Sequence, residues 1–475
     1  MPGQSDIVNI WTIVHLSGNF ILIGEEKSNR ISYICMLVVC LGLFGDRHRL
    51  EKIQLNMEKK LYPLKFIPVA SRRPWGGSAL VSELGKKFVE CDDEGNETVL
   101  GTDVLIGESW ELADMGTEDS VVAEGWLAGN TISEIMETYL ERIVGEKVYN
   151  RYGRQFPLLI KFLDINDKLS VQVHPDDEVA AERYDSLGKA EIWYVMDAKP
   201  GARMYCGFTR EVSAQEFYDR CKNGTVDEIL NVIEPKKGDV IYITPGTVHA
   251  ADGGLLIAEI QESSDMTFRL YDWGREFNPA TARKTHLEEA IDVIDYRAFD
   301  FGLYRKGPLW CEEASCEPCH IQDCEHGHAH DHGPVETLVE SPQFNATKLA
   351  LTDPLHIYTE KFESFIVYIC LEGAASIQVP SVKENGEAYM ENYEFAKGDT
   401  ILVPAELPDF YLVPRDPSTL LLEAVTQPDE DMDEYIDPST EAFLENEDYE
   451  GLEDGAFDDD EKPSSNGASP LNFFS

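Results

Sequence analysis

Residues 169–177 read LSVQVHPDD, and the interpretation of this stretch decides the fold. Successive side chains of a strand alternate between its faces. Gln172 and His174 therefore project from one face and can aim an amide oxygen and an imidazole nitrogen at a single point. Seventeen residues beyond that histidine, Glu191 opens the strand-like AEIWYV. Residues 238–249 (GDVIYITPGTVH) read as a strand ending in a tight Pro-Gly turn that presents His249. Taken singly, each residue has an ordinary explanation, such as a satisfied core histidine or a solvated carboxylate at a strand end. Together, Gln, His, Glu and His form a mixed oxygen and nitrogen set with room for water or substrate oxygens. Such a set suits Zn²⁺ or another divalent ion in an open catalytic site.

The flanking text is mainly β with inserted helices. From residue 61 to about 127, short β-branched or aromatic runs are broken by Gly, Pro and Asp, and no helix is evident. Residues 131–148 (TISEIMETYLERIVGEKV) space their apolar residues by three and four behind Thr131, with Glu134 three residues on; this predicts one helix opened by a capping box. Strands return with LLIKFLDIN, KLSVQVH and AEIWYVMD and, after a second helical stretch near residues 213–232, with KKGDVIYITPGTVHA and LLIAEIQ. Two more alternating runs, SFIVYICLEGAASIQV and KGDTILVPAELPDFYLV, announce a second β-rich unit.

The chain has 475 residues, room for roughly three units. Its 40 Lys and Arg against 88 Asp and Glu give a net charge of -48, which repels phosphate backbones and anionic lipid surfaces, so neither nucleic acid nor membrane is an expected partner. Ten cysteines in such a length make no disulfide framework and fit a reducing cytoplasm. The apolar run at residues 31–45 is 15 long, short of the roughly 18 to 20 residues a spanning helix needs. Residues 1–19 hold no Lys or Arg for a signal peptide. Residues 1–56 are therefore expected to be an extension outside the fold. Residues 311–332 carry four Cys and five His without finger spacing, and read as a flexible tract that binds metal adventitiously. Residues 428–475, with 17 acidic residues and one Lys, read as a solvated, disordered tail.

The strand-borne QxH, the later Glu and the closing PGxxH resemble the two halves of a cupin motif, with QxH in place of HxH and PG in place of PxG. Those departures lead to one branch. From residue 61 to about 427 the chain resembles type I mannose-6-phosphate isomerases, in their shorter bacterial form. The matching motifs are RPWGG (73–77), ESWEL (108–112), LLIKFLD around Lys161, LSVQVHPDD, KAEIWY (189–194), PGTVHA and SSDMTFRLYDWGR (263–275). The resemblance implies two cupin-like jelly-roll β-barrels plus a small helical part: a catalytic unit over 57–300, a linker over 301–334, and a second unit over 335–427. It implies interconversion of mannose 6-phosphate and fructose 6-phosphate through an enediolate, with one Zn²⁺ per chain. Carried over by position, the zinc ligands are Gln172, His174, Glu191 and His249. Arg269, Glu259 and Lys189 fall on catalytic positions, and Lys161, Ser170 and Arg275 on substrate-binding ones. Arg275 stands where some members have a lysine, and its guanidinium fork differs from an ammonium point charge. The proton-transferring base stays open among Glu259, Lys189 and a metal-bound water, and oligomeric state stays open between monomer and dimer.

In the second unit, residues 397–410 (KGDTILVPAELPDF) repeat the GDVIYITPGTVH outline, but Pro408 or Asp409 stands where a ligand histidine is needed, so this unit is expected to hold no metal. Trp75 and Trp110 read as buried structural residues, with lining of a sugar pocket as the alternative. A catalytically silent sugar- or metal-binding cupin is the alternative function. A cupin oxygenase, the third, would favour iron and a set richer in histidine.

Overall fold

The computed structural model describes residues 10–16, 19–25, 59–91, 97–116, 118–280, 282–299, 305–306, 335–359, 363–383 and 385–427. The apolar run at 31–45, the Cys/His-rich tract and the acidic tail lie outside them. The protein is mainly β with few helices, and its two β-rich units are each built on two large antiparallel sheets, the first also carrying two small two-stranded ones, Phe66–Ile67 with Val121–Val122 and Val89–Cys91 with Glu97–Val99. In the first unit a seven-stranded sheet runs in the order Arg305–Lys306, Val240–Ile243, Glu191–Ala198, Leu255–Glu262, Leu158–Ile165, Glu108–Leu112, Val69–Ser71. Facing it is a five-stranded sheet in the order Leu230–Ile233, Arg203–Phe208, His249–Asp252, Leu169–Val173, Phe268–Tyr271. The second unit pairs a five-stranded sheet with a four-stranded one.

The strand Leu158–Ile165 shows why LLIKFLDI lacks the alternation of a half-exposed strand: every residue is buried. On one face, Leu163 and Ile165 join Trp193, Val195 and Ile257 between the two sheets. On the other, Ile160 and Phe162 pack with Ile192 and Ile260 against Val367, Ile369 and Leu402 of the second unit. Alternation places Lys161 on the same face as Leu163, so an ammonium points into the first unit's interior.

The sequence prediction of a single helix over 131–148 is corrected in the structure. Thr131 does make the capping box with Glu134, through a Thr131 Oγ1 that accepts from the Glu134 amide (3.2 Å) and a Glu134 Oε2 that accepts from the Thr131 amide (3.0 Å). The helix Ile132–Tyr139 then breaks at Leu140, and two short helices, Glu141–Val144 and Glu146–Tyr152, follow. The second break is at Gly145, whose φ is +91°, and where a Cβ would lie 1.9 Å from the Glu363 carbonyl oxygen. Contact with the second unit, not local preference, ends that helix. The stretch near 213–232 is likewise divided: the helix Ala214–Asn223 stops at the left-handed Gly224, and a 3-10 turn Val226–Ile229 leads into the strand Leu230–Ile233. Two helices escape the sequence reading. Asp177–Tyr184 is capped by Asp176, and the single turn Ala79–Ser82 is anchored where the Ala79 amide donates to Asp164 (2.5 Å).

Candidate metal centre and active-site cleft

Gln172, His174, Glu191 and His249 meet inside the first unit. In the five-stranded sheet Gln172 lies between two neighbours, paired in register with His249 on one side and Arg269 on the other. His174 follows directly after the same strand, and Glu191 begins a strand of the opposite sheet. His249 Nε2 lies 3.2 Å from Glu191 Oε1, and His174 Nε2 lies 3.5 Å from Glu191 Oε2. Ligand atoms of His174, Glu191 and His249 all fall within 4.8 Å of one another.

The proton positions follow from the partners. His174 Nδ1 lies 2.8 Å from the Met266 carbonyl and His249 Nδ1 2.9 Å from the Thr247 carbonyl. Carbonyls only accept, so both Nδ1 atoms carry a hydrogen, and in the neutral ring Nε2 is the atom left with a lone pair, facing Glu191. Burial, reinforced by the Lys189 ammonium, pushes the His174 pKa well below the ordinary value, so that ring is neutral. Burial alone would raise the Glu191 carboxyl, but His174 and Lys189 hold it below the usual carboxylate range. Among the described residues, His174 Nε2 and both Glu191 oxygens are buried without a hydrogen-bond partner. Lys189 Nζ compensates part of the Glu191 charge from 3.5 Å but leaves His174 Nε2 unmatched, and a donor set of two imidazoles and a carboxylate fits a divalent metal of the zinc type.

Gln172 needs one adjustment to join that set. Its Nε2 lies 3.2 Å from His249 Nε2, while its Oε1 accepts from Ser170 Oγ (3.3 Å). Turning the terminal amide by half a rotation exchanges oxygen for nitrogen at the centre. The amide NH₂ is then handed to Ser170 Oγ, which accepts as readily as it donates.

A cleft of about 180 Å³ opens above this centre, lined by Ser170, Gln172, Lys161, Lys189, Glu259 and Arg269, with Trp75 and Trp193 among its walls. Lys161 Nζ stands 3.7 Å from Glu259, 3.9 Å from Glu108 and 3.9 Å from Asp265, and lies over the Trp110 ring at 4.8 Å. Glu259 accepts a hydrogen bond from Trp193 Nε1 (2.8 Å), and burial together with the Glu191 charge raises its pKa. Burial would lower the Lys189 ammonium, but Glu191 at 3.5 Å and then Glu259 raise it above the usual lysine value. Glu108 is pulled the other way. Burial opposes ionisation there, but Lys161 and the two-bonded Arg73 lower it to about 2.

Comparison with known proteins agrees with this geometry. Residues 64–203 match the family described as phosphomannose isomerase type I, catalytic domain. The mannose-6-phosphate isomerase ManA of Bacillus subtilis is 32% identical over 351 residues, covering 74% of this chain and 95% of that protein.

This chain belongs to the type I phosphomannose isomerase family.

A second relative, the mannose-6-phosphate isomerase of Streptococcus mutans, is 31% identical over 333 residues, covering 70% of this chain and 89% of its own. The crystal structure of the Bacillus subtilis mannose 6-phosphate isomerase superposes with a TM-score of 0.58 at 26% identity, covering 77% of this chain and 99% of that one.

For a phosphomannose isomerase family member, two features of the cleft were not legible beforehand. Arg275 is absent from its lining; its Nη2 donates to Asp272 (2.8 Å) and to the Lys168 carbonyl (2.6 Å). Arg283 and Arg73 do line it. The RPWGG motif already contained Arg73, but no spacing singles out Arg283, which arrives through a segment running back beside the Arg269 strand, where the His286 amide donates to the Arg269 carbonyl (2.7 Å). Trp75 both lines the cleft and packs in the core, while Trp110 is buried and donates to Glu108 (2.7 Å).

The second unit repeats the plan without the ligands. Asp409 opens its strand as His249 does, and Ile366 pairs with Val403 as Glu191 pairs with Ile243. Its Glu423 faces Tyr368 and Thr347, the register positions at which Glu259 faces Trp193 and Lys161.

Proposed function

We propose that this chain is a metal-dependent aldose-ketose isomerase that interconverts mannose 6-phosphate and fructose 6-phosphate. The observation that carries the proposal is the buried convergence of His174, Glu191 and His249, with His174 Nε2 and both Glu191 oxygens lacking a hydrogen-bond partner among the described residues, beneath a cleft rich in fixed cations that Gln172 lines, in a member of this family. The reading takes one Zn²⁺ per chain, held by those three residues and Gln172. It also takes the two paired-sheet units as cupin-like jelly rolls, the catalytic one within 57–300 and a metal-free partner over 335–427. Cytoplasmic residence is supported by the free, buried thiols of Cys206, Cys221 and Cys370.

Moving a carbonyl by one carbon requires a proton to leave one carbon and reach its neighbour, with enediolate oxygens stabilised meanwhile. A bound divalent ion supplies Lewis acidity toward those oxygens. Arg269, Lys161 and Lys189 add fixed positive charge in a site where water is scarce. Glu259 is the best-supported proton carrier: Trp193 fixes one of its oxygens, and its raised pKa brings the carboxyl closer to neutrality, where it can both take and return a proton. Lys189, with its pKa raised, holds its proton and serves as a cation or an acid. Ser170 orients Gln172, and Trp75 and Trp193 wall off solvent.

The test is a coupled assay with mannose 6-phosphate, with and without chelator. Turnover that chelation abolishes and zinc restores supports the proposal, as does its loss in Gln172→Ala and His249→Ala. Full activity in either variant overturns the ligand assignment, and binding of sugar without turnover indicates a silent cupin.

A further inference from the structure

The cleft has a floor and a mouth. The side chains of His174, Glu191 and His249 are at most 1% exposed, whereas those of Arg73 and Arg283 are 32% and 22% exposed. Arg269 lies between, paired in register with Gln172 at the floor and tethered outward by Nη1 donating to the Lys284 carbonyl (2.8 Å).

Cations outnumber carboxylates at this mouth: Arg73, Arg269 and Arg283, with Arg275 behind them, stand against Glu108, Asp272 and the half-exposed Asp265. Arg73 is neutralised by Glu108 through two hydrogen bonds of 2.8 and 3.2 Å. Asp272, fully buried, serves two guanidinium groups at once: it accepts from Arg283 Nε (3.0 Å) and Nη2 (2.5 Å), and from Arg275 Nη2 (2.8 Å). Among the described residues no carboxylate pairs with Arg269, whose Nε is buried without a partner. Burial and then the nearby Arg283 lower the Arg269 pKa, with Arg73 and Arg275 adding to it and the Asp272 charge opposing it only in part. Guanidinium groups do not shed their protons at ordinary pH, so the repulsion persists until an anion relieves it.

Arg283 is built to receive one. Its Nε and Nη2 are committed to Asp272, which fixes the plane of the guanidinium. Its Nη1 donates to no described residue, and the group lines the cleft. A hexose 6-phosphate whose first two carbons lie over the metal centre carries its phosphate at the far end of the molecule, toward the mouth.

We propose that Arg283, held by Asp272 and braced by Arg275, is the residue that binds the substrate's phosphate group and selects phosphorylated sugars. The proposal rests on the isomerase reading above and names the end of the substrate this arginine holds. It makes Arg275 a positioning residue, acting through Asp272 and not by contact with the substrate.

The test uses the purified full-length chain with zinc, comparing wild type with Arg283→Ala, Arg283→Lys and Arg275→Ala. Loss of one charge-assisted contact is expected to raise KM for mannose 6-phosphate roughly tenfold to a hundredfold, with a smaller effect on kcat. Inhibition by inorganic phosphate should weaken by a similar factor. Arg283→Lys should recover part of both effects, and Arg275→Ala should show a milder form of them. If phosphate inhibition is the same in Arg283→Ala or Arg283→Lys as in wild type, or if kcat falls while KM stays constant, the proposal is overturned. Should Arg283→Ala fail to fold, Arg283→Lys decides alone, through its phosphate inhibition constant. Wild-type protein that does not turn over mannose 6-phosphate would instead defeat the isomerase reading, a result separable from any variant's behaviour.

Discussion

Ser170 shows how one hydroxyl can set a metal site. Its Oγ lies 3.3 Å from the Gln172 amide and is the partner left for the NH₂ once the amide oxygen turns inward. Ser170→Ala is therefore expected to weaken zinc affinity about tenfold or more, as loss of an orienting partner commonly does, measured by competition with a chromophoric chelator. Glu423 is the matching test of buried charge. Burial pushes its carboxyl from 4.5 up to about 7, against the opposing Tyr368 hydroxyl. A raised carboxyl pKa means the folded state favours the protonated form. The associated stability is complete below about pH 4.5 and is lost as pH rises through about 7, and its size is about 3 kcal/mol. Chemical denaturation between pH 5 and 8 should show this decline in wild type and a flatter profile in Glu423→Gln. Both residues were visible in the sequence. The roles were not, because alternation says which face a side chain takes but not what stands opposite.

At the scale of elements, the broken helix after Thr131 is the instructive case. The cap is local chemistry and was legible: Thr131→Ala should cost about 1 kcal/mol in a denaturant melt. The break at Gly145 answers to the Glu363 carbonyl, more than two hundred residues away in the chain. Gly145→Ala combines a positive φ with a 1.9 Å approach, and is expected to cost about 2–5 kcal/mol in the same melt. Equal losses in the two variants would mean that the contact with the second unit does not hold this turn. Strands were easier to read than helices here, because fully buried β-runs such as LLIKFLDI and LLIAEIQE stand out by composition. The helix Asp177–Tyr184 has little apolar periodicity to reveal it; four of its eight residues are charged at its exposed face or ends.

The whole molecule couples these parts through the seven-stranded sheet, whose outer face is completed by Val367, Ile369, Leu402 and Leu422 of the second unit. That unit therefore stabilises the catalytic one without contributing a ligand to the described cluster. Metal should stabilise the whole through the floor of the cleft. Free zinc at about a thousandfold above its dissociation constant is expected to add about 4 kcal/mol, seen as a rise in Tm that chelator reverses. His249→Ala should abolish that rise while leaving the metal-free Tm within a few degrees. If zinc left the Tm of wild type unchanged, the converging lone pairs would need another explanation.

By itself, the sequence determined the β-rich character, the capping box, and which four residues could serve one cation, because side-chain type, period and motif order are local properties of the chain. It also carried the family. Tertiary structure alone decided which arginine faces the cleft, where the helices end, and that Lys161 sits within 4 Å of Glu108, Glu259 and Asp265. Those outcomes depend on which strands become neighbours and which faces are covered from both sides. Pairing of that kind is set by long-range packing, and no window of sequence contains both partners.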